Sequence, residues 1–185
     1  MFYLDVKIIF AMLRAMGKKK SGAGADHVGW VHSQWAREMP EVDLEGSRIL
    51  GRARRITLVS REKIEAVFAR HRLDTGEFDV LATLRRAGAP FALRPTELYR
   101  AMMISSGGLT DRLDRLAAKG LVRRRESEED KRSLLVELTA KGRACIEAAF
   151  REDMAVENEL VAGLTAAERN ELARLLEKLA QQMEA

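Results

Sequence analysis

The side chains best suited to chemistry in this chain of 185 residues lie in one basic stretch of its second half. Thr110, Arg115 and Lys119 recur at spacings that place a short polar group and two cations on a helix, away from its apolar stripe. Lys131 and Arg132 follow in a charged segment between two strand-like runs. Polar and arginine side chains on a helix bind base edges in the major groove of DNA, and cations at a hairpin tip reach the minor groove. The pattern therefore predicts a surface that reads double-stranded DNA.

A short helix is predicted to carry the first three of these side chains. It is indicated by leucines spaced three and four residues apart between Leu109 and Leu116, which form its buried stripe. Ser105 or Ser106 is expected to cap its start, and Gly120 suits the left-handed position just past its end.

A β-hairpin is predicted directly after this helix. Residues 121–126 are expected to pair with residues 133–138 across a tip that contains Asp130, Lys131 and Arg132. The helix would then enter the major groove while the tip reaches the adjacent minor groove, with Arg132 in that groove and Lys131 on a phosphate. The candidate DNA contacts are Ser105, Ser106, Thr110, Arg115, Lys131 and Arg132.

Further helices are predicted on both sides of this unit. Their expected bounds are 42–70, 74–88, 96–103, 139–161 and 165–183. Two of them begin with capping-box spacing, Asp74 with Glu77 and Thr165 with Glu168. The order predicts a mainly α fold with a small β-hairpin wing, which is a winged helix-turn-helix with long N- and C-terminal dimerisation helices.

This order of elements divides the chain into four segments. They are an N-terminal extension that suits an accessory amphipathic helix and a linker (1–34), a first dimerisation segment (35–73), the DNA-binding domain (74–138) and the C-terminal dimerisation helices (139–185). Long flanking helices cannot bury their apolar stripes within one subunit, so a two-fold homodimer is expected. It would hold two recognition helices about 34–36 Å apart, which suits a pseudo-palindromic operator.

Composition favours a nucleic-acid-binding protein and argues against disulfide-stabilised proteins, membrane proteins, metalloproteins and enzymes. The net charge of +4 is mild, so the crowding of basic residues between positions 112 and 125 argues more for a nucleic-acid partner than the total does. The single Cys145 excludes an intramolecular disulfide and indicates a reducing cytoplasm. The apolar run IIFAML is too short for a membrane span, which needs about 20 residues. The histidines lack metal-ligand spacing and no catalytic motif is visible, so no metal, cofactor or enzyme activity is expected.

Six short motifs follow one another along the chain. They are GEFDVLATLRRAG (76–88), PTEL (95–98), SSGGLTDRLDRL (105–116), GLVRR (120–124), DKRS (130–133) and LTAKGR (138–143). In this order they resemble the MarR family of transcription regulators, over approximately Trp35 to Met183. The resemblance implies that Arg132 enters the minor groove while Asp130 helps to hold the wing.

A narrower resemblance is to the urate-responsive branch of that family. Its members carry a tryptophan near the first helix, an acidic residue in GEF[DE]VL and two arginines at the spacing seen here. The ligand set implied by this resemblance is Trp35, Asp79, Arg112 and Arg124. Guanidinium and indole groups suit a planar anion such as urate. An ion pair between Asp79 and Arg124 would hold the DNA-reading helix and the wing against the helix that carries Asp79. An anion beside Asp79 would compete with it for the arginines.

The same residues also have structural interpretations. Trp35 would pack in the dimer core, and Trp30 is an alternative pocket residue. Arg112 would contact a DNA phosphate, while Asp79 and Arg124 would form a structural ion pair. The function expected is a repressor released by urate or a similar aromatic anion. The alternatives are the same repressor responding to a phenolic acid or antibiotic, and a ligand-independent architectural DNA-binding protein.

Overall fold

The computed structural model describes residues 26–102, 108–126 and 134–184, and within these ranges it contains seven helices and three strands. In chain order they are α1 (His27–Glu38), α2 (Glu45–Arg70), α3 (Thr75–Arg86), β1 (Ala92–Leu93), α4 (Pro95–Ala101), α5 (Leu109–Ala118), β2 (Val122–Glu126), β3 (Leu134–Leu138), α6 (Ala140–Leu160) and α7 (Ala166–Glu184). The predicted mainly α fold with a small sheet is confirmed. The candidate residues Ser105, Ser106, Asp130, Lys131 and Arg132 lie outside the described ranges.

The chain divides into two compact units, residues 1–59 and residues 60–185. In the first unit, Asp26 caps α1 by accepting a hydrogen bond from the backbone N of Gly29 at 2.7 Å. The same carboxylate accepts hydrogen bonds from Arg52 of α2 at 2.9 and 3.0 Å. His32 Nε2 lies 3.0 Å from the Ser47 hydroxyl. Polar contacts therefore join α1 to α2 at two places, at Arg52 and at Ser47.

Helix α1 crosses the boundary that sequence patterns place between residues 34 and 35. It runs from His27 to Glu38, and Val28 is its buried residue. Both tryptophans of the chain lie on it, with Trp30 37% and Trp35 50% exposed. A helix with so little buried apolar surface gives a weak periodic signal, which explains why its start was not predicted. The accessory helix and linker expected near the N-terminus fall on residues 1–25, outside the described ranges.

The second unit is built around α3, which contacts α4, α5, β3 and α6. Val80, Leu81 and Leu84 of α3 are fully buried, because their spacing places them on one side of the helix. The buried residues packed with them come from every neighbouring element: Val67, Phe68, Leu73, Leu98, Leu113, Leu116, Leu121, Val122, Val136, Leu138, Ile146 and Ala149.

The sheet is antiparallel with the strand order β1–β3–β2. Strand β2 pairs with β3 from Val122 opposite Leu138 to Glu126 opposite Leu134, which confirms that the two predicted segments form a hairpin. The third strand, β1, was not predicted. It has two residues, of which Ala92 lies opposite Glu137 of β3, and two residues are too few to show an alternating pattern.

The predicted helix ends differ from the observed ones by a few residues. Helix α2 begins at Glu45 rather than 42, and α4 ends at Ala101 rather than 103. Gly108 precedes the first turn of α5 with a φ of 75°, and the serines expected to cap this helix, Ser105 and Ser106, lie outside the described ranges. Gly120 has a φ of 69° after α5, as its position in the sequence predicted.

Candidate nucleic-acid interface and adjoining cleft

One buried carboxylate at the start of α3 holds the end of α5. Glu77 is 2% exposed and accepts a hydrogen bond from the backbone N of Asp74 at 3.0 Å. Lys119, which follows α5, donates from Nζ to both oxygens of this carboxylate at 2.6 Å and to the Arg72 carbonyl at 2.9 Å. Because hydrogen bonds between ionised groups are strong, this contact fixes α5 against α3.

Arg115 belongs to the same cluster. Its guanidinium nitrogens lie 3.0 Å from Asp74, 3.4 Å from Asp111 and 3.8 Å from Glu77. The side chain therefore contacts the carboxylates at the start of α3 while it remains 45% exposed, and its role as a base reader stays a prediction. The physical reason is that Arg115 and Lys119 are one helical turn apart and so share the face of α5 that packs on α3.

Thr110 lies in the first turn of α5 and is exposed. Arg115 is the other candidate base reader within the described ranges, and its side chain is 45% exposed. The roles predicted for Ser105, Ser106, Lys131 and Arg132 fall outside the described ranges and stay predictions.

Three consecutive arginines of β2 bind carboxylates on two sides of the strand. Arg123 and Arg125 both pair with Glu137 of β3, at 3.1 and 2.8 Å. The hydrogen bond from Arg123 is the main reason why the pKa of Glu137 lies below its ordinary value. Arg124 projects to the other side, since successive side chains alternate along a strand, and pairs with Asp114 of α5 at 2.7 Å.

The partner of Arg124 corrects one expectation from the sequence. Arg124 was expected to form an ion pair with Asp79, but its partner is Asp114. The link therefore joins the wing strand to the recognition helix, and it does not join the wing to the body of the second unit.

Arg112 lies over Gly76 in the first turn of α3. A Cβ atom at position 76 would lie 2.6 Å from the guanidinium carbon of Arg112 and 2.9 Å from its Cδ, so the arginine fills the space that the glycine leaves. Asp79, which is 8% exposed, follows Gly76 by about one turn and shares its face of the helix. The structure thus brings Arg112 to the face of α3 that carries Asp79.

A cleft of about 770 Å³ opens between α3, α6 and the C-terminal part of α2. Phe68 and Phe78 line it and stack with their ring centroids 4.0 Å apart. Asp79 of α3 and Asp153 of α6 line it as well. A cavity with aromatic walls and few polar groups has the character of a small-molecule site.

Asp153 is the buried acid of this cleft that lacks a partner. It is 4% exposed, and its Oδ1 atom has no hydrogen-bond partner among the residues that the structure describes. Burial, with a smaller contribution from the negative charge of Glu157, raises the pKa of Asp153 to about 6. Near the same cleft, Arg85 donates to Glu147 at 2.8 Å, and this hydrogen bond is the main reason why the pKa of Glu147 lies below its ordinary value.

The predicted ligand residues are divided between the two units. Trp35 lies on α1 in the first unit, whereas Asp79, Arg112 and Arg124 lie in the second. Within the second unit, the Arg112 side chain of α5 lies on the face of α3 that carries Asp79, and Arg124 pairs with Asp114 of α5.

Other kinds of site find no support in the described residues. No group of three or more His, Cys, Asp or Glu side chains there could hold a metal ion. None of the described helices is both long and apolar enough to cross a membrane. Burial raises the pKa of the Cys145 thiol, which keeps this cysteine in its less reactive form.

Reasoning from the sequence missed Glu77 and Asp153 as site residues, and it did not predict that Lys119 binds Glu77. Glu77 was identified only as part of a capping box, although Arg115 and Lys119 at helical spacing indicated a carboxylate partner. Asp153 continues the buried positions Ile146 and Ala149 of α6 at spacings of three and four residues, and this pattern could have indicated a buried acid.

Comparison with known proteins gives one consistent result. The family model described as MarR family matches residues 73–133. The HTH-type transcriptional regulator PecS of Dickeya dadantii (strain 3937) is 38% identical over 143 residues, which cover 77% of this chain and 86% of that protein. A mutant MarR from E. coli, solved in complex with operator DNA, has a TM-score of 0.62 and 32% identity over 75% of this chain and 99% of that one. Bordetella bronchiseptica BpsR, solved in work on the regulation of its DNA binding by 6-hydroxynicotinic acid, has a TM-score of 0.57 and 26% identity over 71% and 92%.

Proposed function

The chain belongs to the MarR family of DNA-binding transcription regulators, and we propose that it is a homodimeric repressor that urate or a similar aromatic anion releases from a pseudo-palindromic operator. The expectation that it is not an enzyme agrees with its relatives, which are transcription regulators. The observation that supports DNA reading best is the way α5 is held. Glu77 fixes one end through Lys119, Asp114 binds the wing strand through Arg124, and Thr110 stays exposed at the other end.

In this proposal the DNA contacts come from the first turn of α5 and from the wing. Thr110 and Arg115 read bases, together with the serines that precede α5 in the sequence, and the contact of Arg115 with Asp74 orients its guanidinium. The proposed contacts outside the described ranges are Ser105 and Ser106 before α5, Lys131 on a phosphate, and Arg132 in the minor groove with Asp130 supporting the wing.

The proposed effector site is the face of α3 that carries Asp79. Arg112 lies on this face, and a guanidinium is the group best suited to bind a planar anion. Trp35 is the further ligand residue that the family resemblance implies, and Arg124 acts through its link to α5. BpsR supports a small aromatic anion as the class of effector, because its DNA binding is described as regulated by 6-hydroxynicotinic acid.

Release would follow from the position of Arg112 on α5. An anion that draws the guanidinium away from Gly76 also moves the helix that carries it, and so moves Thr110 relative to the DNA. A coupling free energy of about 1–3 kcal/mol, or 5–150-fold in DNA affinity, is enough for regulation.

The test measures the fluorescence anisotropy of the intergenic duplex upstream of the gene, with urate titrated into the preformed complex at constant salt. Gly76→Ala is the decisive variant, because its Cβ would overlap the far end of the Arg112 side chain and displace it while α3 remains a helix. We expect this variant and Arg112→Ala to lose most of the urate response, which is about 5–150-fold in the parent protein. Gly46→Ala is the matched control, since a Cβ there meets nothing within 4 Å.

Two outcomes would contradict parts of this proposal. Equal affinity for the upstream duplex and a scrambled one would reject the sequence-specific repressor. Specific binding that urate leaves unchanged would reject urate and favour either another aromatic anion or ligand-independent binding.

A further inference from the structure

The fold leaves Asp153 buried without a hydrogen-bond partner for one oxygen. The side chain is 4% exposed, and its Oδ1 atom has no partner among the described residues. An unpaired carboxylate oxygen away from water is costly, and most buried polar atoms in proteins are paired. The position of Asp153 in a cleft of about 770 Å³ indicates that a bound molecule supplies the missing donor.

The charged groups near this carboxylate do not supply that donor. Arg85 donates to Glu147 at 2.8 Å, and Arg86 donates to the Thr83 hydroxyl at 3.1 Å. Arg151 lies 3.8 Å from Glu147. The other acids that line the cleft with Asp153 are Asp79, Glu147 and Glu157, so three arginines and four carboxylates surround the cavity.

The walls of the cleft favour a flat ring. Phe68 and Phe78 present a stacked aromatic pair, and Ile146 and Met154 add apolar surface. A carboxylate accepts hydrogen bonds and cannot donate them, so a molecule that satisfies Asp153 must present an N–H or O–H group. An aromatic acid without such a group would bring a second negative charge to Asp153 and leave its oxygen unpaired.

We propose that Asp153 accepts a hydrogen bond from a ring N–H of the effector, so that the cleft selects planar N–H heterocycles over aromatic acids that carry only acceptors. This inference rests on the proposed function, because it concerns the effector of the same repressor. Among the effectors considered above, it favours urate-like lactams over simple aromatic acids.

Isothermal titration calorimetry on the full-length protein, without DNA, tests the proposal with three probes. Urate has ring N–H groups and a charge, xanthine has ring N–H groups with little charge near neutral pH, and benzoate has a charge without an N–H donor. We expect Asp153→Ala to lower the affinity for urate and xanthine by roughly ten- to a hundredfold, which is the usual effect of losing a hydrogen bond to a charged group. We expect benzoate binding to weaken little or to tighten.

Two further variants separate a contact with the ligand from a structural effect. Asp153→Asn keeps an acceptor oxygen and nearly the same shape, so its affinity for xanthine should lie between those of the parent and Asp153→Ala. Glu159→Gln removes a charge from an exposed residue of the same helix that does not line the cleft, and its affinities should match the parent values.

The proposal is overturned if the parent protein binds neither urate nor xanthine, or if Asp153→Ala binds both as tightly as the parent does. The test of the Asp153 contact and the test of the proposed function can fail independently, because calorimetry detects ligand binding and anisotropy detects release of DNA. A heterocycle that binds through Asp153 without releasing DNA would reject the effector-relieved repressor alone. Urate that releases DNA equally from the parent and from Asp153→Ala would reject this inference alone.

Discussion

Glu77 and Asp153 are both buried acids of the second unit, and they differ in whether a cation reaches them. Lys119 donates to both oxygens of Glu77 at 2.6 Å, so this carboxylate fixes α5. No donor among the described residues reaches Oδ1 of Asp153, and burial raises the pKa of this group to about 6. The buried Glu77 thus attaches α5 to α3, whereas the buried Asp153 keeps an oxygen that can accept a hydrogen bond from a ligand.

The raised pKa of Asp153 predicts a pH-dependent stability. The native state binds the Asp153 proton more tightly than the unfolded state, in which the pKa is near 3.8, so its contribution to stability is greatest at low pH and falls as pH rises from about 4 to 6. Asp153→Asn lacks this loss, and we expect it to exceed the parent in free energy of unfolding by about 2–3 kcal/mol above pH 7. Urea denaturation at fixed protein concentration, from pH 4 to 8, measures the difference. A constant difference across this range would contradict the assignment.

At the scale of elements, the start of α6 is packed directly on the backbone after α5. Thr139 caps α6 by accepting from the Gly142 backbone N at 2.9 Å, and its hydroxyl donates to the Gly120 carbonyl at 2.8 Å. A Cβ atom at position 142 would overlap the Leu121 carbonyl oxygen and lie 2.8 Å from its carbon. This close approach joins the C-terminal helix to the end of the recognition helix.

Gly142→Ala is therefore predicted to destabilise the protein, although alanine is the better helix former. The overlap is with backbone atoms, which cannot rotate away, and we expect a loss of about 2–4 kcal/mol in the free energy of unfolding. Gly163→Ala is the matched control, because a Cβ there meets nothing within 4 Å. Urea denaturation of both variants measures the effect, and equal stability of the two would show that the contact is absent.

Elements with local signals were predictable from the sequence. The capping box of α3 is present, since Asp74 accepts from the Glu77 backbone N at 2.8 Å, and the box formed by Thr165 and Glu168 is present before α7. Strand β1 was missed because its pairing with β3 is entirely non-local. The ion pair between Arg115 and Asp74 was not predicted for the same reason, since Asp74 lies outside α5.

The candidate ligand residues Asp79 and Arg112 were taken from family motifs, and their contact with a ligand stays a prediction. The structure places the Arg112 side chain of α5 over Gly76, on the face of α3 that carries Asp79. Asp153 belongs to no motif, and its burial depends on the packing of α6 against α3, which a single sequence does not show. The pairing of Arg124 with Asp114 depends likewise on how the wing meets α5.

At the scale of the whole molecule, α7 has no buried residue among those that the structure describes, although it has 19 residues. Leu172, Leu175 and Leu176 are 43–48% exposed, and Met183 is 63% exposed. Most helical stability in proteins comes from packing of an apolar face, so a helix of this kind requires a surface to cover it. A second copy of the chain is the occupant that the proposed homodimer supplies.

Leu172→Glu combined with Leu176→Glu is predicted to separate the dimer. The two positions are one helical turn apart, and burial of each leucine is worth about 1.5–3 kcal/mol, so the dimer should weaken by about a hundredfold or more. Sedimentation velocity measures the mass, and operator anisotropy should show a parallel loss, because two linked recognition helices bind far more tightly than one. Lys178→Glu, an exposed charge change on the same helix, should leave both properties unchanged. A double variant that remains dimeric would show that the subunit contact lies away from α7. A monomer that binds the operator as tightly as the parent would show that DNA binding does not require the dimer.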